Sequence, residues 1–239
     1  MTKQAEQLRI IEQLKQAFVS DKPSLCFRRL KANGELEDKF PEIFALVDMP
    51  QNSVHHKEGT AFEHTMQVLD VASLLSGGMA QNKRDKFLFS ALVHDVGKAV
   101  TLKYNEKTGE ATHHGHEAAG VPIVHKMCDR LGLEDWKKEA AFITKYHMHM
   151  HILHVIGAKK VADLIRKIKE NVGLDWFIKA TTADKRGRVA KGLDFDQYVS
   201  LAEHPNAELL RRYTHAYESK ENPVDKVAQI QRLKTAGTN

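Results

Sequence analysis

Apolar residues recur at helical spacing along most of the chain, and this pattern predicts its elements. Residues 2–20 form one amphipathic stretch, which ends before Asp21 and Pro23. Its apolar face carries Ala5, Leu8, Ile11, Leu14 and Phe18. A second stretch over residues 24–33 ends at Asn33-Gly34, a pair typical of a helix C-cap. Two helices are therefore predicted at the start of the chain.

The stretches that follow repeat this pattern and predict further helices. They cover residues 36–47, 60–76, 83–94, 116–131, 134–151, 158–171, 174–184 and 194–202. Thr60 and Glu63 have the spacing of a capping box. Residues 205–239 predict one or two polar helices, interrupted at Asn222-Pro223. Only residues 101–104 and 111–113 are compatible with a small hairpin, so the predicted fold is all-α, a compact multi-helix bundle.

The chain has 239 residues, enough for one sizeable domain with a helical appendage. The pattern divides it into an N-terminal amphipathic helix at 1–23, a central domain at 24–204 and a helical tail at 205–239. The N-terminus lacks the apolar segment of a signal peptide, and no apolar run approaches the ~20 residues that cross a bilayer. We therefore expect a cytoplasmic protein without a membrane partner, and a homo-oligomer is compatible with the sequence.

Composition adds three observations. The 36 basic residues exceed the 31 acidic ones, a mild excess that favours anionic partners such as nucleotides or RNA, although an ordinary solvated surface explains it equally well. Cys26 and Cys128 lie in apolar stretches without C-x-x-C spacing, so two buried free thiols are predicted. Histidines number 14, and their concentration between His113 and His154 requires an explanation.

The apolar run over residues 83–94 ends in His94-Asp95, which Gly97 and Lys98 follow. Neighbouring side chains on a helix point ~100° apart, so both reach one ion only where the helix ends, and Gly97 supplies such an ending. Imidazole and carboxylate ligands suit divalent metals such as Mn, Fe, Co, Ni or Zn. A buried histidine beside an ion-paired aspartate explains the same dipeptide equally well.

Two further residues favour the metal interpretation. His64 lies on the strong helix over 60–76, and Asp184 ends the apolar helix over 174–184. Buried carboxylates are unfavourable unless they are paired or bound to metal. The order His, His-Asp, Asp resembles that of the HD-domain superfamily of phosphohydrolases. The resemblance implies a divalent ion held by His64, His94, Asp95 and Asp184, with Lys98 close by.

Four blocks extend the resemblance over roughly residues 24–200. They are FPEIFALVDMPQ at 40–51, HKEGTAFEHT at 56–65, THHGHEAAG at 112–120 and ADKRGR at 183–188. They resemble the C-terminal HD domain of bacterial CCA-adding tRNA nucleotidyltransferases, which implies 2′,3′-cyclic phosphodiesterase, 2′-nucleotidase and phosphatase activity. The family's nucleotidyltransferase head has no counterpart here, since Asp194-Phe195-Asp196 lacks a preceding Gly-Ser loop. CCA addition is therefore not expected.

The other histidines divide into candidates and ordinary residues. His116 and His147, with His151 as a further option, are candidate ligands of a second ion bridged by Asp95, or candidate contacts of the substrate phosphate. His114 and His151 are candidate substrate contacts, and a solvated or hydrogen-bonded histidine explains them equally well. That ordinary interpretation is favoured for His55, His125, His154, His204 and His215.

The ligand set implies hydrolysis at phosphorus. A divalent ion lowers the pKa of a water molecule that it binds, and Mn, Ni, Co, Mg, Fe and Zn are all compatible, as one ion or two. Lys98, Arg186 and Arg188 are candidates for neutralising the phosphoryl oxygens, since arginine forks match phosphate, although the two arginines are also explained as surface charges. Asp95, or a nearby histidine, takes the proton of the water, so Asp95 and Lys98 are the catalytic candidates.

Two other functions stay compatible with the sequence. A deoxynucleotide 5′-nucleotidase or triphosphohydrolase differs in its product and has no preference for the sugar 2′-position. A tRNA- or partner-binding module with a vestigial metal site binds RNA with steep salt dependence and turns over nothing. The favoured substrate is a nucleotide or the phosphate at an RNA 3′-end.

Overall fold

The computed structural model describes residues 3–52, 56, 58–188 and 203–236. Within these ranges the chain forms twelve α-helices and one two-stranded hairpin, so the all-α prediction is confirmed. The helices are α1 (Lys3–Val19), α2 (Ser24–Ala32), α3 (Leu36–Lys39), α4 (Pro41–Phe44), α5 (Ala61–Leu75), α6 (Gln81–Val93), α7 (His116–Leu131), α8 (Glu134–His151), α9 (Ala158–Asn171), α10 (Leu174–Arg186), α11 (Ala207–Glu218) and α12 (Pro223–Ala236). None of these helices is both long and apolar enough to span a membrane.

A short non-helical segment lies between α6 and α7. The 3-10 turn Val96–Val100 follows α6 directly. Strand β1 (Lys103–Tyr104) then pairs antiparallel with β2 (Ala111–Thr112), with Lys103 opposite Thr112. This is the hairpin that the sequence allows, and it leads the chain into the first residue of α7.

Two predicted helices differ from the structure or lie outside it. The helix expected over 36–47 is two short helices, α3 and α4, which meet at Phe40. Pro41 opens α4 and drives the residue before it out of the α region, and Phe40 accordingly has φ −135° and ψ 64°. The predicted helix over 194–202, with the run Asp194-Phe195-Asp196, lies outside the described residues.

Helix α1 shares one apolar core with the helices that follow it. Its buried side chains are Ile10, Leu14, Ala17 and Phe18. Leu8, which the sequence places on the apolar face, is 61% exposed, whereas Ile10, which lies beside that face, is buried. The face of α1 that packs against α6 and α7 is therefore rotated from the predicted one. Phe18 stacks on Trp136 of α8 with ring centroids 6.3 Å apart. Arg84 of α6 donates to the Phe18 carbonyl oxygen at 3.0 Å and so satisfies an acceptor in the last turn of α1.

Two glycines allow the helix ends to approach closely. A Cβ on Gly97 would lie 1.9 Å from the His116 carbonyl oxygen, so the 3-10 turn rests directly on the start of α7. A Cβ on Gly187 would lie 2.5 Å from Cγ2 of Val68, so the end of α10 rests on α5. A larger residue at either position forces the backbone to move. These contacts draw the ends of α6 and α10 and the starts of α5 and α7 into one region.

Both cysteines are free thiols, as the sequence predicts. Cys128 of α7 is buried, and burial raises the pKa of its thiol to about 12. Cys26 is only partly buried, so the expectation of two buried thiols is wrong for this residue. Its position on α2 places it at the edge of the core, against which it packs.

Candidate metal centre

Six histidine and aspartate side chains meet where α5, α6, α7, α8 and α10 approach one another. They are His64, His94, Asp95, His116, His147 and Asp184, and each is at most 7% exposed. Helix ends supply most of them. His94 and Asp95 follow the last residue of α6, and His116 begins α7. The structure therefore brings together all six residues that the sequence suggests as metal ligands.

The first cluster consists of His64, His94 and Asp184. Nε2 of His64 lies 3.2 Å from Oδ1 of Asp184, and Nε2 of His94 lies 3.9 Å from the same oxygen. One potential ligand atom from each residue lies within 4.8 Å of the others. Oδ2 of Asp95 faces this cluster, 3.3 Å from Nε2 of His94. The four residues of the His, His-Asp, Asp pattern therefore form one group.

The second cluster consists of Asp95, His116 and His147. Oδ1 of Asp95 lies 3.2 Å from Nε2 of His116 and 3.5 Å from Nε2 of His147. The two imidazole nitrogens are 3.3 Å apart. Since Oδ2 of Asp95 faces the first cluster and Oδ1 faces the second, this carboxylate bridges the two.

The donor atoms of both clusters fit a divalent cation. Nε2 of His94 and Oδ1 of Asp95 are buried and have no hydrogen-bond partner among the described residues. A buried polar atom without a partner is unfavourable, and a bound ion supplies the missing interaction. Imidazole nitrogen and carboxylate oxygen together are donors that suit divalent first-row metals. The residues present therefore fit a metal ion in chemistry as well as in position.

Three of the histidines are oriented by the backbone. Nδ1 lies close to the carbonyl oxygen three residues earlier, at distances of 2.8, 2.8 and 3.0 Å for His94, His116 and His147. A carbonyl oxygen only accepts hydrogen bonds, so in each neutral ring Nδ1 carries the proton. The lone pair of Nε2 is then left to bind an ion.

His64 is oriented by a side chain that the sequence analysis missed. Nδ1 of His64 lies 2.9 Å from Oε1 of Glu58, whose side chain is fully buried, and Nδ1 of His56 lies 2.8 Å from the same oxygen. Burial alone would raise the pKa of Glu58, but the hydrogen bond from His56 and the adjacent imidazole of His64 lower it to about 2. The HKEGTAFEHT block, which contains all three residues, is the sequence signal that points to Glu58.

Nearby positive charges keep both aspartates ionised. Burial alone would raise the pKa of Asp95, but the charges of His94 and Lys98 hold it well below its usual range. Burial alone would also raise the pKa of Asp184, but the charge of Arg188 holds it well below the usual range. Two anionic carboxylates in a buried site are favourable only with cations beside them. The site therefore has the charge that a divalent ion requires.

The clusters open onto a cavity of about 430 Å³. Lys98 lies in its wall and donates to Oδ2 of Asp95 at 2.7 Å and to Oε1 of Gln51 at 2.5 Å. Arg188 also lines the cavity, with its guanidinium 3.5 Å from Oδ1 of Asp184. Two cationic side chains thus face the same space as the ligand groups.

The four predicted substrate contacts divide into two pairs. Arg188 and the exposed His114 line the cavity, whereas Arg186 and His151 lie outside its lining. The guanidinium of Arg186 donates to the Glu203 carbonyl oxygen at 3.2 Å. His151 lies behind the first cluster, with Nε2 2.7 Å from Oδ2 of Asp184. His151 is therefore close to the candidate site, as the sequence predicts, but it does not line the cavity.

His204 is a second residue of the site that the sequence analysis missed. The sequence favours an ordinary role for it, yet it is buried, with Nε2 3.1 Å from Nδ1 of His151. It lies in the turn before α11, 53 residues along the chain from His151. No periodicity or spacing points to a contact over that separation.

Comparison with known proteins gives a family for this arrangement. Residues 61–170 match the family model of the HD domain, a range that includes His94-Asp95 and ends before Asp184. The protein named "Multifunctional CCA protein" from Shewanella denitrificans is 32% identical over 198 residues, which cover 81% of this chain and 45% of the relative. The one from Actinobacillus pleuropneumoniae is 33% identical over 210 residues, 86% of this chain and 47% of the relative.

A third relative of that name, from Hahella chejuensis, is 32% identical over 184 residues, 75% of this chain and 41% of the relative. The chain thus spans less than half the length of these curated relatives. The family model and the relatives confirm the resemblance to the HD domain that the sequence indicates. The chain therefore contains an HD domain, the domain that characterises a superfamily of metal-dependent phosphohydrolases.

Proposed function

We propose that this chain hydrolyses nucleotide phosphoesters, as a 2′,3′-cyclic phosphodiesterase, 2′-nucleotidase and phosphatase. One observation carries the proposal. Two ligand clusters bridged by Asp95 open onto the same cavity as Lys98 and Arg188. Metal ligands beside positively charged side chains are the combination that phosphoryl transfer needs, because negative charge on the phosphoryl oxygens must be neutralised.

The metal ligands in this proposal are the members of the two clusters. His64, His94, Asp95 and Asp184 hold one ion, and Asp95, His116 and His147 hold a second where two ions bind. A bound divalent ion polarises a phosphoryl oxygen and lowers the pKa of water, and Mn, Ni, Co, Mg, Fe and Zn are all compatible with these donors.

Lys98 and Arg188 are the groups proposed to bind the phosphate. An ammonium group has three N–H donors, and Lys98 directs two of them to Asp95 and Gln51. The third is available to a phosphoryl oxygen in the cavity. Nε of Arg188 is buried and has no hydrogen-bond partner among the described residues, so its N–H is available too. A phosphate between the two side chains satisfies both donors.

Asp95 is the proposed acceptor of the proton that water loses. Hydrolysis adds a water oxygen to phosphorus and breaks one P–O bond. A side chain of the cavity wall must therefore accept one proton from that water, while the leaving oxygen gains one. Asp95 is ionised and directs an oxygen to each cluster, so it would lie beside a water molecule bound at either one. Lys98, 2.7 Å from Asp95, holds that carboxylate in place and offsets the negative charge on the phosphoryl oxygens.

The proposed substrate is a nucleotide or the phosphate at an RNA 3′-end. The cavity of about 430 Å³ lies within the range of small-molecule sites, ~300–1,000 Å³. His114 is exposed at its wall, where it is available to the sugar or the base. The net charge of +5 favours an anionic partner, and the relatives' name, "Multifunctional CCA protein", supports an RNA end rather than a free metabolite.

The test compares wild type with the double variant His94→Ala/Asp95→Ala and with His125→Ala, an exposed histidine of α7 outside the cavity lining. Each is assayed on p-nitrophenyl phosphate, 2′,3′-cyclic AMP and 2′-AMP with Mn, Ni, Co and Mg in turn. We expect wild type and His125→Ala to release product and the double variant to be inactive. Wild type that binds metal and hydrolyses none of these contradicts the proposal.

The two alternative functions are separate outcomes of the same test. Release of phosphate or triphosphate from deoxynucleotides alone identifies a deoxynucleotide hydrolase. RNA binding with steep salt dependence and no turnover identifies a binding module.

A further inference from the structure

A chain of side-chain hydrogen bonds extends from the first cluster into the C-terminal part of the molecule. Oδ2 of Asp184 lies 2.7 Å from Nε2 of His151, and Nδ1 of His151 lies 3.1 Å from Nε2 of His204. The backbone N–H of Asn206 donates to Nδ1 of His204 at 3.0 Å. The proposed function assigns no part in ligand binding or chemistry to His204.

The direction of every bond in this chain follows from its last donor. A peptide N–H only donates, so Nδ1 of His204 accepts from Asn206 and the proton of the neutral ring is on Nε2. That N–H donates to Nδ1 of His151, which places the His151 proton on Nε2. His151 then donates to Oδ2 of Asp184. The backbone N–H of Asn206 thus fixes the tautomer of His204, and the carboxylate of Asp184 requires the same tautomer of His151.

Burial of His204 keeps it in the neutral form that this chain of bonds requires. Its ring is 4% exposed. Burial is the main cause that lowers the pKa of His204, to about 3. A neutral His204 has one N–H only, and Asn206 determines which nitrogen carries it.

The turn over residues 204–206 makes hydrogen bonds to α8 and α10, the two helices that carry His151 and Asp184. The backbone N–H of His204 donates to Oγ1 of Thr182 at 2.9 Å, two residues before Asp184 on α10. The side-chain amide of Asn206 donates to the Met150 carbonyl oxygen at 2.8 Å, one residue before His151 on α8. These bonds hold His204 at a fixed position relative to both partners.

We propose that His204 is a positioning residue: through His151 it fixes which oxygen of Asp184 faces the first cluster. With Oδ2 occupied by His151, Oδ1 is the oxygen that points to Nε2 of His64, 3.2 Å away. A ligand carboxylate held by such an outer partner binds metal more tightly, because its orientation is already set. The expected effect of His204 on metal binding rests on the proposed function, whereas the proton positions on His204 and His151 are independent of it.

Two substitutions separate the hydrogen bond from the space that the ring fills. His204→Phe keeps a ring of similar size but has no donor for His151. His204→Gln keeps an N–H close to the position of Nε2. His215→Phe makes the same change at an exposed histidine of α11 and is the control. The thermal midpoint of each variant shows that it is folded before further measurement.

The first measurement is the 15N spectrum of the histidine rings in metal-free protein. We expect Nε2–H tautomers for both His204 and His151 in wild type and in His215→Phe. In His204→Phe we expect the Nδ1 resonance of His151 to shift toward that of a ring nitrogen that accepts no hydrogen bond, and in His204→Gln it stays as in wild type, while the carboxylate of Asp184 keeps the proton on Nε2 in both. A protonated Nδ1 on His151 in wild type overturns the proposal.

The second measurement is calorimetric titration with Mn2+. His204→Phe is expected to bind the ion of the first cluster about 10-fold to 100-fold more weakly, the usual effect of losing an outer partner. His204→Gln restores most of this loss. If His204→Phe binds Mn2+ as tightly as wild type, and wild type hydrolyses nucleotides, the positioning role of His204 is overturned and the proposed function stands. A wild type that binds Mn2+ but hydrolyses nothing contradicts the proposed function alone.

Discussion

The two ligand clusters share Asp95 but are supported in different ways. In the second cluster, His116 and His147 each turn Nδ1 to a backbone carbonyl oxygen three residues earlier. In the first cluster, His64 depends on the Glu58 carboxylate and Asp184 depends on the His151 ring. The second cluster is thus oriented by nearby backbone, and much of the first by side chains from other parts of the chain.

This difference determines how each cluster can be disturbed. A carbonyl oxygen three residues earlier stays in place as long as the local backbone is formed, so the second cluster is sensitive mainly to its own ligands. An outer side chain can be replaced without changing the fold, so the first cluster is sensitive to residues that bind no ion. Substitutions at the shared ligand, at an outer side chain and at a more distant histidine should therefore have decreasing effects.

Replacement of the shared ligand should have the largest effect. Asp95→Asn keeps the shape of the side chain but removes the charge that faces both clusters. We expect turnover of 2′,3′-cyclic AMP to fall on the order of 100-fold to 1,000-fold, together with metal content. Asp175→Asn, at an exposed carboxylate of α10, is the matched control. Turnover close to that of the control would contradict the bridging role of Asp95.

The ligands could be proposed from the sequence because several lie at helix ends and their order resembles that of the HD-domain superfamily. His94-Asp95 precedes Gly97, and Asp184 closes an apolar stretch, so both positions are visible in the hydrophobic pattern. Glu58 and His204 lie in a loop and a turn, where no period indicates which way a side chain points. They reach the site only because distant segments pack together, and pattern analysis does not report that packing.

The break at Phe40 has a different cause. Pro41 was visible in the sequence, and its effect on the preceding residue is a local rule. The apolar spacing continues across Pro41, so periodicity alone predicts one helix where the local rule for proline places a break. In contrast, the exposure of Leu8 depends on which neighbours α1 packs against, and no local rule predicts it.

An outer substitution should disturb one cluster only. Glu58→Gln removes the charge that faces Nδ1 of His64, so we expect the Mn2+ affinity of the first cluster to fall about tenfold. Glu117→Gln is the matched control, because Glu117 lies 3.5 Å from Nδ1 of His116, which the backbone already orients.

Two backgrounds separate the clusters in that titration. His147→Ala leaves only the first cluster complete, and His64→Ala leaves only the second. Glu58→Gln should weaken Mn2+ binding in the His147→Ala background and leave it unchanged in the His64→Ala background. An equal loss in both would show that Glu58 acts on the fold as a whole, and would remove the distinction between the clusters.

The smallest expected effect is a difference in acid stability. Burial lowers the pKa of His204 to about 3, from an ordinary value of 6.5, so the ring stays neutral in the folded protein. As the pH falls below 6.5, the unfolded chain binds a proton there that the folded chain does not, and the free energy of unfolding decreases. One proton contributes up to about 1.4 kcal/mol per pH unit.

His204→Phe removes that proton from both states. In denaturant titrations with a chelator present, its free energy of unfolding should fall less steeply than that of wild type between pH 6.5 and 4, and in parallel with it above pH 6.5. The carbonyl oxygens that orient His116 and His147 do not titrate, so this contribution to acid sensitivity comes from the outer support of the first cluster. If the free energy of unfolding has the same pH dependence in the two proteins, His204 is protonated as readily in the folded state as in the unfolded one. The hydrogen bonds from a neutral His204 through His151 to Asp184 would then be untenable.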